Sequence, residues 1–345
     1  MKVQIALVLC VTLLQKIHGA TVAQSTINDV KTQAGKISTG SFNPEIDAEN
    51  LKHALDASVP DGKAIIETLT SRSSAQRLEV ATAYQNLYKK DLKEEFKSKL
   101  SADFGSLLVA IITSSPEYYA KELHRAMAGT GTDNECLMEI LTTLSNQELE
   151  KVRKVYQELY GVTLESAIKD DTSSHFSELL TTLCNGVRDE TNVVNRVEAV
   201  ADAQKLYQAG EKKWGTDEST FISILTKRNP QQLKLIAQEY KSMTGHDLGY
   251  TIECEFSGLI KKGLLTVVNV VVDNLYDYLA GRIKESIGGK SKNELTRIVA
   301  TRSGTDMEPI QSSYSSNYGT DLKQAINDNT SGDYKTCLLA LLGQK

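Results

Sequence analysis

Apolar residues return at three- and four-residue intervals through most of the chain, as in Ile65, Ile66 and Leu69 and again in Leu137, Ile140, Leu141 and Leu144. That spacing lays them on one face of an α-helix, whereas runs alternating with period two are rare. Gly161, Gly245 and Gly319 follow Tyr160, Thr244 and Tyr318 at matching places, where the end of a helix calls for a residue tolerant of positive φ. The pattern predicts an all-α chain of short helices joined by tight turns. One apolar run stands apart. Val3–Leu14, with Lys2 before it and Gly19 and Ala20 after it, is too short to cross about 30 Å of hydrocarbon and has the flanks of a secretory signal. Residues 1–20 are expected to be removed on export, leaving an N-terminal arm at 21–44.

The helical pattern itself repeats. Four blocks of about seventy residues share it, assigned to 45–115, 117–187, 200–272 and 275–345. In the first, DAENLKHAL (47–55) precedes AIIETLTSRS (64–73) and QRLEVATAYQNLYKKDL (76–92). The second runs from YYAKELHRAMAGTGTDNECLMEILTTLS (118–145) into QELEKVRKVYQELYGVTLESAI (147–168). QKLYQAGEKKWGTDESTFISILTKR (204–228) and QQLKLIAQEYKSMTGHDL (231–248) belong to the third, and NELTRIVATRS (293–303), YSSNYGTDL (314–322) and SGDYKTCLLALL (331–342) to the fourth. An arginine closes the second helix at Arg72, Arg228 and Arg302, with Leu144 in its place in the second block. A longer linker near Asn185–Val200 separates the middle blocks.

Charge narrows the partners. The 345 residues carry 39 basic and 44 acidic side chains, a net −5. Loss of residues 1–20 takes Lys2 and Lys16 with it and deepens the charge to −7. A chain that binds nucleic acid by charge should be basic, so no nucleic-acid partner is expected, and contact with an anionic surface needs a cation in between. Enzyme signatures are lacking. His53, His124, His175 and His246 form no metal-ligand motif, there is no GxSxG, and Gly289-Lys290-Ser291 has Lys284 where a P-loop needs glycine. Of the five cysteines Cys10 leaves with the signal; Cys136 and Cys337 stand beside leucines on apolar helix faces and read as buried thiols.

The chemistry gathers at two glycine loops. Block two has Met127-Ala128-Gly129-Thr130-Gly131-Thr132-Asp133, and block three has Gly210-Glu211-Lys212-Lys213-Trp214-Gly215-Thr216-Asp217. Glycines at such junctions permit positive φ and expose carbonyls that can converge on a hard cation. Ca²⁺ takes six to eight oxygens at about 2.3–2.6 Å, with a carboxylate among them. An acid follows each loop at one distance: Asp171 lies 39 residues after Thr132, and Glu255 lies 39 after Thr216. Thr132 with Glu135 also spells a capping box, which gives part of the first loop a folding reason.

A GxGT loop paired with a distant acid, inside four helical repeats, resembles the annexins over residues 42–345. The resemblance implies a curved all-α disc that binds acidic phospholipid through Ca²⁺. It assigns one site to the carbonyls of Met127, Gly129 and Gly131 with Asp171, and a second to those of Gly210, Lys213 and Gly215 with Glu255. The other two blocks depart from the pattern. The first has Asp56-Ala57-Ser58-Val59-Pro60-Asp61-Gly62 for its loop and Lys99 at the acid position. The fourth has a short Gly288-Gly289-Lys290-Ser291-Lys292 and Asn329 there. Neither is expected to hold a site of this type, although Asp61 and Asp328 leave room for weaker ones. Trp214, the only tryptophan, suits a core position; the resemblance implies instead a membrane contact made when Ca²⁺ binds. Asn329-Thr330-Ser331 is a glycosylation sequon. The expected function is calcium-dependent membrane binding by a secreted protein. The alternative is a secreted effector acting through a protein partner, with calcium secondary.

Overall fold

The computed structural model describes residues 42–212, 215–290 and 292–343, so the signal-like segment 1–20 and nearly all of the arm fall outside it. Among the described residues there are twenty α-helices, two π-helical segments and no strand. Each repeat contributes five helices. The first has α1 (Pro44–Asp56), α2 (Gly62–Thr70), α3 (Ser74–Tyr88), α4 (Leu92–Lys99) and α5 (Ala102–Ile111). The second has α6 (Ser115–Met127), α7 (Asn134–Thr143), α8 (Asn146–Tyr160), α9 (Leu164–Asp171) and α10 (Ser174–Cys184). The third has α11 (Arg196–Ala209), α12 (Glu218–Lys227), α13 (Pro230–Thr244), α14 (Leu248–Glu255) and α15 (Gly258–Val267). The fourth has α16 (Leu275–Glu285), α17 (Lys292–Arg302), α18 (Met307–Tyr318), α19 (Leu322–Asn329) and α20 (Gly332–Leu342). The π-helical segments, Val268–Asn274 and Ser286–Lys290, flank α16.

Local chemistry sets these boundaries. Ser73 and Ser145 open α3 and α8 with reciprocal capping boxes to Gln76 and Glu148, and Asn229 caps α13 ahead of Pro230. The long third helices stop at a left-handed residue, with φ of 73° at Gly161, 81° at Gly245 and 65° at Gly319; in the first repeat Lys89 takes that conformation at 54°. The linker before α11 is fastened to the end of α12. Arg188 donates to the carbonyls of Leu225 and Arg228, placing its charge at the negative end of that helix.

Within every repeat the first helix lies against the third. Between repeats, the second helix of one packs on the fifth of its partner and the reverse: α2 on α20 and α5 on α17, then α7 on α15 and α10 on α12. Two cores result, one from repeats 1 and 4 and one from repeats 2 and 3. Tyr84, Tyr156, Tyr240 and Tyr314 hold the same buried place in the four third helices. Of the cysteines in the described residues, Cys136, Cys184 and Cys337 are buried free thiols and Cys254 is exposed.

The two cores meet across a polar seam. Arg297 on α17 is buried between Glu139 at 2.6 Å and Glu122 at 3.1 Å. Beside it Arg282 reaches Glu294 at 2.6 Å and Glu135 at 2.5 Å. Burial pushes the Glu294 carboxyl up to about 7, against the pull of Arg282. Helices α7, α15 and α16 frame a cleft of about 510 Å³ at this seam, lined by Glu135, Lys262, Asp273, Tyr278 and Arg282 among others.

Candidate metal centres

In the first three repeats one closure joins the first helix to the second. The N–H of Asp61, Asp133 and Asp217 donates to the carbonyl of Ala54, Ala126 and Ala209, at 3.0, 2.8 and 2.8 Å. Each aspartate then caps the next helix, accepting the N–H of Ala64, Cys136 and Thr220. Asp61 is thus committed to a cap in its own repeat. The third loop is one residue longer than the other two between these anchors.

What differs is the backbone inside the closure. Gly129 and Gly131 have φ of 99° and 129°, and Gly215 has 87°. No heavy atom outside their chain neighbours stands within 4 Å of where a Cβ would point, so glycine is required by conformation and not by space. The first loop has no residue at positive φ; Ala57, the counterpart of Gly129, sits at −59°. The carbonyls of Met127, Gly129 and Gly131, and of Gly210 and Gly215, accept no backbone hydrogen bond among the described residues. Lys213 and Trp214 lie outside the described residues.

The short fourth helix of each repeat ends on the position that carries the acid in repeats 2 and 3. Lys99, Asp171, Glu255 and Asn329 are the last residues of α4, α9, α14 and α19. In repeat 2 the acid meets the loop directly: Thr132 Oγ1 donates to Asp171 Oδ2 at 2.7 Å. The capping box expected of Thr132 and Glu135 does not form, because Asp133 takes the N-cap one residue later and frees the Thr132 hydroxyl for Asp171. In repeat 3 Thr216 Oγ1 donates to the main-chain oxygen of Glu255 at 3.1 Å, which fastens the end of α14 and leaves the carboxylate out of that bond. Glu211, which the sequence had not singled out, braces this loop by accepting from Tyr240 Oη at 2.8 Å and Thr251 Oγ1 at 2.7 Å.

These loops fit a hard cation. Among the described residues no three His, Cys, Asp or Glu side chains gather in a way that could hold a metal. The loops of repeats 2 and 3 offer a different donor set, main-chain oxygens beside a single carboxylate, which suits Ca²⁺. Repeat 4 offers no carboxylate at the equivalent place. Asn329 is exposed, and its Nδ2 turns back to Ala325 O at 2.8 Å. Asp328 accepts from Gln324 and Asn327 on its own helix.

Known proteins match this fold and this sequence together. The family model Annexin matches residues 46–111, 118–183, 201–267 and 278–341. Annexin A13 of Mus musculus is 39% identical over 303 residues, spanning 87% of this chain and 95% of the relative. The structure of annexin III superposes with a TM-score of 0.86 at 38% identity, covering 89% of this chain and 96% of that one. Calcium-bound annexin (Sm)1 superposes with a TM-score of 0.77 at 32% identity, covering 89% and 92%.

Proposed function

The chain belongs to the annexin family, and from that premise we propose that it attaches to acidic phospholipid surfaces through Ca²⁺ held by the loops of repeats 2 and 3. Annexins bind such membranes peripherally and with calcium, and they are mainly non-enzymatic; among the described residues here no helix is long and apolar enough to cross a bilayer. The residues that would hold the ions are Met127, Gly129, Gly131 and Asp171 in repeat 2 and Gly210, Lys213, Gly215 and Glu255 in repeat 3. A bound ion supplies positive charge and coordination positions that lipid phosphate oxygens can share, the missing cation of an acidic chain.

The observation that carries this reading is the pair of positive-φ glycines beside a threonine that holds the distal acid, Gly129, Gly131 and Thr132 with Asp171. The glycines allow a loop conformation no other residue adopts cheaply, and the threonine draws the carboxylate to the same edge. Trp214, one residue before Gly215, is proposed to enter the headgroup layer once the neighbouring ion is bound. The segment 1–20 is proposed to direct export, which would place Asn329 where it can be glycosylated.

A second reading has its own support: the fourth-helix ends of repeats 1 and 4 carry Lys99 and Asn329, each turned to partners inside its own repeat. An exported annexin that lacks the acid in half its repeats fits an effector that acts through a protein partner, with calcium secondary. Sedimentation with vesicles of phosphatidylcholine and phosphatidylserine separates the two. The membrane reading expects the protein to pellet only with both Ca²⁺ and the acidic lipid, and pelleting that ignores chelator or acidic lipid contradicts it.

A further inference from the structure

The first repeat keeps the closure that joins first helix to second in repeats 2 and 3, yet has a lysine where the acid belongs. Leu55 follows Ala54 as Met127 follows Ala126 and Gly210 follows Ala209, so its carbonyl is the counterpart of the first main-chain oxygen of each candidate site. Lys99 ends α4 as Asp171 and Glu255 end α9 and α14. Its ammonium donates to that carbonyl, Leu55 O, at 3.4 Å, to Asp56 Oδ1 at 2.8 Å, and it stands 3.1 Å from Glu95 Oε2.

We propose that Lys99 is the resident cation of repeat 1: its ammonium takes the place of the metal, so that this repeat holds its loop to its fourth helix at any calcium concentration and admits no Ca²⁺ there. The inference rests on the calcium reading of the other two loops, since it is their geometry that defines the metal position.

Three features agree with it. The clasp has the same parts as a metal site with the charge moved: the cation is covalent, carried by α4, and the oxygens come from the end of α1 and from Glu95. The charge is also used up. Lys52 pairs with Asp56 as well, and Lys90 stands 3.2 Å from Glu95, so three ammonium groups share two carboxylates and no surplus negative charge is left for a divalent ion. Finally, the loop has given up the backbone a metal needs, with Ala57 and Val59 in place of Gly129 and Gly131 and no positive φ between α1 and α2. The hydrogen bonds from Lys52 and Lys99 hold the Asp56 carboxyl at about 2, so the clasp stays ionised at neutral pH.

Hydrogen–deuterium exchange of the full chain tests this, comparing residues 55–62 with 127–133 and 210–217 in chelator and in saturating Ca²⁺. The expected result is that Ca²⁺ slows exchange in the second and third segments and leaves 55–62 unchanged. Lys99→Met should then speed exchange in 55–62 by about fivefold, the effect of losing a partly exposed ion pair, with Lys99→Arg restoring most of the protection. Slowing of 55–62 by Ca²⁺ in the wild type overturns the proposal, as does a Lys99→Met variant that exchanges like the wild type. If instead 127–133 and 210–217 ignore Ca²⁺, the calcium reading of those loops falls, and the comparison on which the resident cation is defined falls with it.

Discussion

Gly131 offers the sharpest separation of loop conformation from loop packing. Its φ of 129° lies where L-residues are strained, and no atom stands within 4 Å of an added methyl group. Gly131→Ala therefore introduces no clash, only backbone strain, of about 1–3 kcal/mol. In the free protein the exposed loop relaxes by rotating the peptide, so the thermal midpoint in chelator should hardly move. At the proposed site the strain returns, because there the carbonyls of Gly129 and Gly131 would have to converge on the ion. Calcium affinity at repeat 2 should consequently fall by about 5- to 150-fold, the same energy expressed as a binding constant. Gly161→Ala is the control. Gly161 is as open and also at positive φ, at 73°, but it ends α8, where its N–H donates to Gln157 O at 2.9 Å. That variant should lose about 1 kcal/mol of stability and keep its calcium affinity. Calorimetric titration with Ca²⁺, paired with thermal melts, reads both. A Gly131→Ala protein that binds Ca²⁺ as tightly as the wild type would show that the loop conformation at Gly131 is not needed for the ion.

Other consequences follow from single contacts. Thr132→Val removes the hydroxyl that holds Asp171 at 2.7 Å and should weaken calcium binding at repeat 2 by about three- to tenfold, in the same titration, with little change in melting. Glu139→Ala leaves the buried Arg297 without its nearest carboxylate, and denaturant unfolding should show a loss of about 3–5 kcal/mol. Glu294 titrates higher in the folded protein, at about 7, than its ordinary value of 4.5. The folded state holds that proton more tightly, so the associated stability is full below pH 4.5 and is lost as pH rises to about 7. Melting curves from pH 5 to 7.5 should therefore show the wild type falling by a few degrees relative to Glu294→Gln, and parallel curves would contradict that assignment.

The fold was largely legible because its signals are local. Helical spacing, the glycines after the third helices and the equal distances from Thr132 to Asp171 and from Thr216 to Glu255 are all properties of one repeat read against another. Because each repeat folds by the same rules, equal spacing became equal placement, and Lys99, Asp171, Glu255 and Asn329 all end the same short helix. Contacts that bridge repeats left no such trace. Arg297 and Glu139 are 158 residues apart, and nothing in either segment marks the other as its partner. Thr132 reads differently for a subtler reason: Thr-x-x-Glu (132–135) and Asp-x-x-Cys (133–136) are offset by only one residue, and a pattern alone does not tell which side chain caps the helix. Asp133 wins because it also closes the loop onto Ala126, and this releases the threonine for the acid. Lys99 was legible as a departure but not as a replacement, since only the fold brings its ammonium back to Leu55 and Asp56 across more than forty residues.

Two loops, each completed by one distant acid, are proposed to give this annexin its calcium-dependent hold on acidic lipid. The most direct measurement is Ca²⁺-titrated sedimentation of the wild type and of Asp171→Ala/Glu255→Ala with phosphatidylserine-containing vesicles, after melting curves have shown both to be folded. Loss of a carboxylate from each site should raise the calcium needed for half-maximal pelleting by about tenfold or more. A double variant that pellets at the same calcium concentration as the wild type would contradict the account.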